Sequence, residues 1–378
     1  METTLHLLLN FIRHEVLSVP MPPVEPMDEA TARKLYTLAK AHDLSHLCED
    51  TTAMPAEVAA KFQKQTMLAV YRYERIHYEY ERICDALETA RIPFLPLKGS
   101  LIRAYYPAAW MRTSCDVDVL VEEGELERAV ATLLPLGFTE QERTYHDVSL
   151  TSESGVHLEL HFHIKENVES IDRLLARVWE YAVPAEGKTY AHVQTNEYLL
   201  FHTVAHMSYH FLHGGCGIRP LIDLYLLRAK MPYDEQTVRG MMETCGISTF
   251  YDRAVALCEV WLEGKEHTDL TRRMERFILT GGVYGSTENL ISVRQSAHQN
   301  RAVYLWRRVF PTYESLAAIH PKLKKHPCLL PFFYVRRWFR AVFCGKLGRS
   351  GKELKQVQMG DRAKIDAVSL LLSDLGLK

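Results

Sequence analysis

The spacing of apolar residues changes character twice along the chain, and the changes divide it into three parts. From Leu5 to Leu17 apolar positions recur at helical spacing, and a proline cluster from Pro20 to Pro26 ends them. A second helix is predicted from an Asp28 cap through Ala39, and Pro55 opens a long one that runs to about Thr89. The pattern then becomes that of strands. Ile92 to Leu97 is a continuous apolar run, whereas Asp116 to Val121, Tyr145 to Thr151 and Val156 to Ile164 alternate. The last two flank Ser152-Glu153-Ser154-Gly155 and read as a hairpin. Between the strands, Glu122 to Leu136 carries Leu126, Val130, Leu133 and Leu134 on one side and Glu125, Glu127 and Arg128 on the other. That is an amphipathic helix closing on Gly137. From about Asn167 helical spacing returns, most clearly over Glu197 to Phe211 and Ile218 to Ala229. No internal repeat or low-complexity segment interrupts this order, so the expected class is α+β, with a small sheet between two helical parts.

The alternation also places chemistry. Side chains two apart on a strand share a face, so Asp116 and Asp118 project together while Val117 and Val119 enter the core. Two adjacent carboxylates repel, and the repulsion is tolerable with a hard divalent cation between them; Mg²⁺ is commonly held by one or two carboxylates plus substrate phosphates. Upstream, Lys98-Gly99-Ser100 separates the apolar run from a short helical stretch, Leu101 to Tyr106. Strand, tight turn and helix in that order let a backbone approach a phosphate and present amide donors to it, with the Ser100 hydroxyl beside them.

Further along, His157, Glu159 and His161 share one face of their strand, with His163 following. These histidines invite a zinc site, but neighbours on one strand splay apart, and hydrogen-bonded histidines flanking Glu159 are the simpler expectation. His202, His206 and His210 follow at one-turn intervals, then the loop His213-Gly214-Gly215-Cys216-Gly217, then Arg219 and Asp223 one turn apart. The stretch His-Thr-Val-Ala-His lacks the glutamate base of a zinc protease. His206, His210 and Asp223 are candidates either for touching substrate or for a polar seam between domains. Tyr71, Tyr73, Tyr78 and Tyr80, interleaved with Arg72, Arg75 and Arg82, suit base stacking or a helix wedged against the sheet, and the burial habits of tyrosine favour the wedge.

Leu97, Lys98 and Gly99, then Arg112, then Asp116-Val117-Asp118-Val119-Leu120-Val121 form a pattern with a known counterpart. It resembles the polymerase-β-like nucleotidyltransferase superfamily, and more closely its large uncharacterised bacterial branch, over roughly Pro93 to Phe162. The spacer from Ser100 to Asp116 is longer than in compact members and predicts an extra turn or loop. The resemblance implies a helical N-terminal arm (1–90), a catalytic core (91–165), a helical domain completing the cleft (166–300) and a basic helical segment (301–378). It implies two Mg²⁺ ions, with Mn²⁺ as the alternative, on Asp116, Asp118 and Glu159. Lys98, Gly99, Ser100 and Arg112 would bind the phosphates of a nucleoside triphosphate, ATP by default, and Glu159 could act as base. An NMP group would then move to a hydroxyl of a small molecule, a protein or RNA. The competing classes are a non-catalytic nucleotide-binding or interaction protein of this fold and a zinc hydrolase using the His157 to His163 strand.

Composition narrows the setting. A chain of 378 residues with 47% hydrophobic and 24% charged residues and a net charge of −2 suits two or three ordinary soluble domains. Eight scattered cysteines without a Cys-x-x-Cys pair disfavour thiolate metal sites and disulfides and fit a reducing cytoplasm. The first apolar run has no basic region ahead of it and reads as an amphipathic helix rather than a signal peptide, and no stretch of about twenty apolar residues predicts a membrane span. Charge is uneven. Residues 301–378 hold sixteen Lys and Arg against five Asp and Glu, a balance of +11 against −13 elsewhere. Pro331 to Phe343 mixes aromatic and basic residues, which suits RNA, an anionic membrane, an acidic partner, or a core-packing helix with arginines on its solvated side.

Overall fold

Five strands form one mixed sheet in the spatial order β1 (Phe94–Pro96), β2 (Asp116–Val121), β5 (His157–His161), β4 (Asp147–Thr151) and β3 (Thr139–Arg143). The computed structural model describes residues 2–283, 285–296, 326–343 and 362–378, with isolated positions between 310 and 323. Only β2 and β5 run parallel; the other pairs are antiparallel. Their register sets Asp116 opposite His157 and Asp118 opposite Glu159. Alternation therefore collects these four side chains on one face.

The opposite face is apolar. Val117, Val119, Val121, Leu158 and Leu160 pack beneath the long helix α3 (Ala56–Thr89) and α5 (Leu126–Leu133), through Ile76, Ile83, Leu87, Val130 and Leu133. The polar face has an apolar margin at Leu95, Leu97 and Leu120, which joins a second and larger core. That core unites both ends of the chain. Helices α1 (Glu2–Leu17) and α2 (Glu29–Ala41) share it with α7 (Asn196–Leu212), α8 (Arg219–Lys230), α9 (Glu235–Cys245), α10 (Ser248–Cys258) and α11 (Asp269–Leu279). The Arg13 Nε donates to the Trp261 carbonyl at 2.7 Å, so the N-terminal helices are built into the helical body. Sheet and body thus meet along an apolar line, and beside it the polar face looks into a cleft.

The α+β expectation holds, with local differences. Asp28 caps α2 as expected, its side chain accepting from the Thr31 amide at 2.7 Å. The long spacer before β2 contains one helical turn, α4 (Gly99–Ile102), and two 3₁₀ turns, Arg103–Tyr105 and Ala109–Met111. Strand β3 escaped the hydrophobic pattern because all five of its residues are exposed; it is an edge strand held by its hydrogen bonds to β4, and its charges protect that edge. A small hairpin, β6 (Ala182–Pro184) with β7 (His192–Gln194), follows α6 (Glu169–Leu175) in a stretch expected to be mostly helical. Glu88 at the end of α3 secures its turn by accepting from the amides of Thr189, Tyr190 and Ala191.

The tyrosines of α3 divide. Tyr80 packs against the sheet core and Tyr73 lies under the Arg103 guanidinium, whereas Tyr71 and Tyr78 are exposed. Beyond α12 (Thr287–Ser296), two helices fall among the described residues of the basic segment, α13 (Leu330–Phe343) and α14 (Arg362–Asp374). The second buries Val368, Leu371 and Leu372 in the large core and pairs Asp374 with Arg273 at 2.6 Å. On α13, Phe333 is buried while Phe332, Val335 and Arg336 are exposed; the side chains of Arg337 and Arg340 and the rest of the segment lie outside the described residues. Every described cysteine is free, and no helix among the described residues is long and apolar enough to cross a membrane.

Strand β5 carries the site on one face and the core on the other, so a cavity under it should be felt on both. Leu158 is fully buried, and Leu158→Ala is expected to lower the unfolding free energy by about 2–5 kcal/mol in a denaturant titration. A change below about 1 kcal/mol would show that β5 is not anchored through this face.

Candidate active site

The cleft between the sheet and helices α7 and α8 encloses about 270 Å³. Its sheet wall carries Asp116, Asp118 and Glu159, brought together by the β2–β5 register. His161, the next inward residue of β5, donates through Nε2 to Asp118 Oδ1 at 3.0 Å and lies 3.3 Å from Glu159 Oε2. Ligand atoms of Asp118, Glu159 and His161 fall within 4.8 Å of one another, a two-oxygen, one-nitrogen set that could hold a divalent cation. Asp116 lines the same cleft one pleat earlier on β2, outside that group.

These groups shift one another's protonation. Burial raises the Asp116 pKa, and the charges of Asp118 and Glu159 raise it further. For Asp118 burial acts in the same sense, but Lys98 and the His161 hydrogen bond outweigh it and hold the carboxyl well below its usual range. Burial opposes a charge on His161, yet its hydrogen bonds to Asp118 and Glu159 lift it to about 9. The last two shifts express one attraction seen from its two ends.

The other strand histidines do not join this group. His157 pairs through Nε2 with Ser149 Oγ at 2.7 Å, and His163 lies beyond the end of β5, 3.6 Å from Glu123. A four-residue zinc site on this strand is not assembled, for the reason of splay given above.

Lys98, Gly99 and Ser100 line the cleft next to the carboxylates. The unusual backbone is at Lys98, with φ 41° and ψ −106°, a strained setting of order 1–3 kcal/mol for a residue with a side chain. Burial disfavours the Lys98 charge, but Asp118, Glu166, Glu159 and Asp116 together raise its pKa. Gly99 has a steric role that local spacing did not reveal: a Cβ there would lie 2.6 Å from Arg112 Nη1.

That guanidinium cannot easily move aside. Arg112 Nε and Nη2 donate to Asp223 Oδ1 and Oδ2 at 2.9 and 2.8 Å, and the Tyr106 hydroxyl donates to Oδ1 at 2.7 Å. All three residues are buried. Asp223, a candidate for touching substrate, has both oxygens engaged and forms a polar seam between the β1–β2 connection and α8. Arg112 keeps Nη1 beside the glycine turn. Arg219, also in the cleft wall, donates to the Thr113 carbonyl at 2.8 Å.

Facing the carboxylates, α7 presents His206 and His210, whose Nε2 atoms are 3.0 Å apart. His206 Nδ1 is 2.7 Å from Glu166 Oε1. Glu166 is 97% buried, lies just past β5, and was not among the sequence candidates; no period marks it, since its partner is forty positions away. Burial raises its pKa against the pull of Lys98 and the histidines. Burial, with Lys98 adding to it, pushes His206 well below 6.5, and burial and His206 bring His210 to about 3. His202, one turn earlier, is fully buried and meets Gln194 Nε2 through Nδ1 at 3.1 Å, away from the cleft.

Residues 28–263, more than half of the chain, match the model of a family described as an uncharacterised nucleotidyltransferase. Every cleft residue discussed above falls within the matched stretch. A search of curated proteins finds no match.

Two outcomes follow from this geometry. Asp223→Ala leaves the Arg112 guanidinium buried without a counter-charge, and chemical denaturation should show a loss of about 3–5 kcal/mol; a loss under about 1 kcal/mol would mean the seam does not hold the two parts together. His161, whose pKa rises on folding from 6.5 to about 9, adds stability that is complete below the lower value and vanishes as pH passes the higher one. Chelator-treated protein should therefore lose stability across that interval, and His161→Asn should flatten the profile. An unchanged slope in the variant would refute the assignment.

Proposed function

The chain belongs to this family of uncharacterised nucleotidyltransferases, and from that premise we propose that it moves a nucleoside monophosphate from a nucleoside triphosphate to an acceptor hydroxyl, releasing diphosphate. The observation that carries the reading is the division of one cleft: carboxylates on the sheet side, and Lys98 with Arg112 Nη1 beside a glycine turn next to them. Carboxylates alone would repel a triphosphate, and cations alone would bind it without activating it.

Asp116, Asp118 and Glu159 would hold the divalent cations, two ions of Mg²⁺ or Mn²⁺, with His161 a ligand only on giving up its Nε2 proton; such ions would neutralise the phosphate oxygens and stabilise the attacking and leaving oxygens. The donor set fits a hard cation, because two of the three clustered ligands are carboxylates. Lys98 offsets the carboxylates and would meet the β- and γ-phosphates, and Ser100 and Arg112 line the same cleft. The acceptor oxygen forms its bond to the α-phosphorus as the bond to the diphosphate oxygen breaks. In this reading 91–165 is the catalytic core, and 166–300 supplies α7 and α8 as the wall opposite it. ATP is the default donor, and the acceptor is a hydroxyl of a small molecule, a protein or RNA.

Incubation with each α-labelled NTP and Mg²⁺ or Mn²⁺, alone and with cell extract, should give labelled acceptor or self-modified protein together with diphosphate. Chelation should stop the reaction and either metal restore it. Asp116→Asn is expected to abolish transfer while leaving the metal-free melting temperature unchanged or higher, because the native carboxylate is disfavoured by burial and by its neighbours. Asp118→Asn should also abolish transfer but lower that temperature, since Lys98 and His161 stabilise the native charge. Near wild-type transfer in either variant sinks the reading.

A further inference from the structure

We infer that Glu166, His206 and His210 form a proton relay that removes the acceptor's hydroxyl proton at His210, on the wall opposite the carboxylates. The inference rests on the transfer chemistry proposed above and names the group that serves it. Nucleophilic attack by a hydroxyl requires that its proton go somewhere. Glu159 is poorly placed for this, since it faces His161 at 3.3 Å and belongs to the cation-binding group. Lys98 is held in its charged form by four carboxylates and has no lone pair to offer.

The chain of contacts has one consistent proton arrangement with Glu166 ionised. A carboxylate only accepts, so His206 carries its proton on Nδ1 and leaves Nε2 bare. His210 must then donate from its own Nε2 across the 3.0 Å contact, which leaves His210 Nδ1 with a lone pair. No described residue occupies that Nδ1, and the ring lines the cleft. The helical i, i+4 spacing sets the two rings edge to face, centroids 4.4 Å apart at 86°, and burial of Glu166 fixes the far end.

In the step itself, the acceptor oxygen's proton passes to His210 Nδ1 as the O–P bond forms. The His210 Nε2 proton shifts to His206 Nε2, and the His206 Nδ1 proton shifts to Glu166. The electron pair of the broken P–O bond leaves with diphosphate. Both imidazoles are neutral at physiological pH, so each has a lone pair for a proton, and burial disfavours leaving a proton on the ring. A full charge never has to remain on either ring, because the buried carboxylate takes the last proton.

Two measurements test the relay. In ¹⁵N-histidine-labelled protein, long-range ¹H–¹⁵N correlations should show His206 protonated at Nδ1 and His210 at Nε2; the opposite tautomer at His206 overturns the relay whether or not any transfer is detected. In the labelled-NTP assay with Mn²⁺, His210→Ala and Glu166→Gln should each slow diphosphate release by about 100-fold with the KM for NTP unchanged, and added imidazole should partly restore His210→Ala. His210 is only half-buried, so its truncation leaves the core intact, and melting curves check this. Release within about twofold of wild type in both variants, or a loss traceable to weaker NTP binding, overturns the assignment. Absence of transfer by the unmodified protein with every NTP would instead strike the nucleotidyl-transfer reading, while the tautomers still decide the relay.

Discussion

The repulsion among Asp116, Asp118 and Glu159 is the constraint around which this molecule is arranged. Three carboxylates on adjacent strands of one sheet face destabilise each other unless positive charge stands among them. Protein groups supply part of it: Lys98 from a strained turn, and His161 as an imidazolium bridging two of the three. The backbone at Lys98 is held in an unfavourable conformation, and His161 keeps its charge against burial. Such strain persists only where the surroundings over-determine it, and here it lies in the wall of the cleft that carries the carboxylates.

The surroundings that do so are the two cores and the seam between them. Val117, Val119, Leu158 and Leu160 anchor the site-bearing strands from behind, while Leu95, Leu97 and Leu120 anchor their margin to the helical body. The Arg112–Asp223 pair then fixes the angle between the parts. A buried ion pair of this sort is a weak source of net stability, because desolvation offsets most of the attraction. Its value lies in geometry: two hydrogen bonds from a planar guanidinium admit one orientation, and that orientation brings Nη1 against Gly99. The glycine, the arginine and the aspartate thus form one unit spanning turn, spacer and α8.

Across the cleft the chemistry is different in kind. Glu166 meets His206 and His206 meets His210, and burial disfavours the charged form of all three groups. A wall bearing carboxylates and Lys98 and a wall bearing two imidazoles face each other over about 270 Å³. In the transfer proposed for this member of the family matched over residues 28–263, the first wall would bind phosphates and the second would take the acceptor's proton.

How much of this could be read from the chain alone follows from the range of the interactions involved. Period and alternation report on neighbours within a turn or a pleat, so the amphipathic helices, the hairpin, the Asp28 cap, the turn at Lys98 to Ser100 and the shared face of Asp116 and Asp118 were all legible in advance. So was His161 as a hydrogen-bonded neighbour of Glu159. Strand β3 was not, because its residues are polar throughout and only pairing with β4 makes it a strand. The role of Gly99 depends on an arginine thirteen positions away, that arginine on an aspartate 111 positions further, and Glu166 on a histidine forty positions away. The sequence by itself determined which short stretches carry charge and which faces they show; tertiary structure alone decided which charges meet, because buried pairs form between segments that only the packed core brings within hydrogen-bond distance.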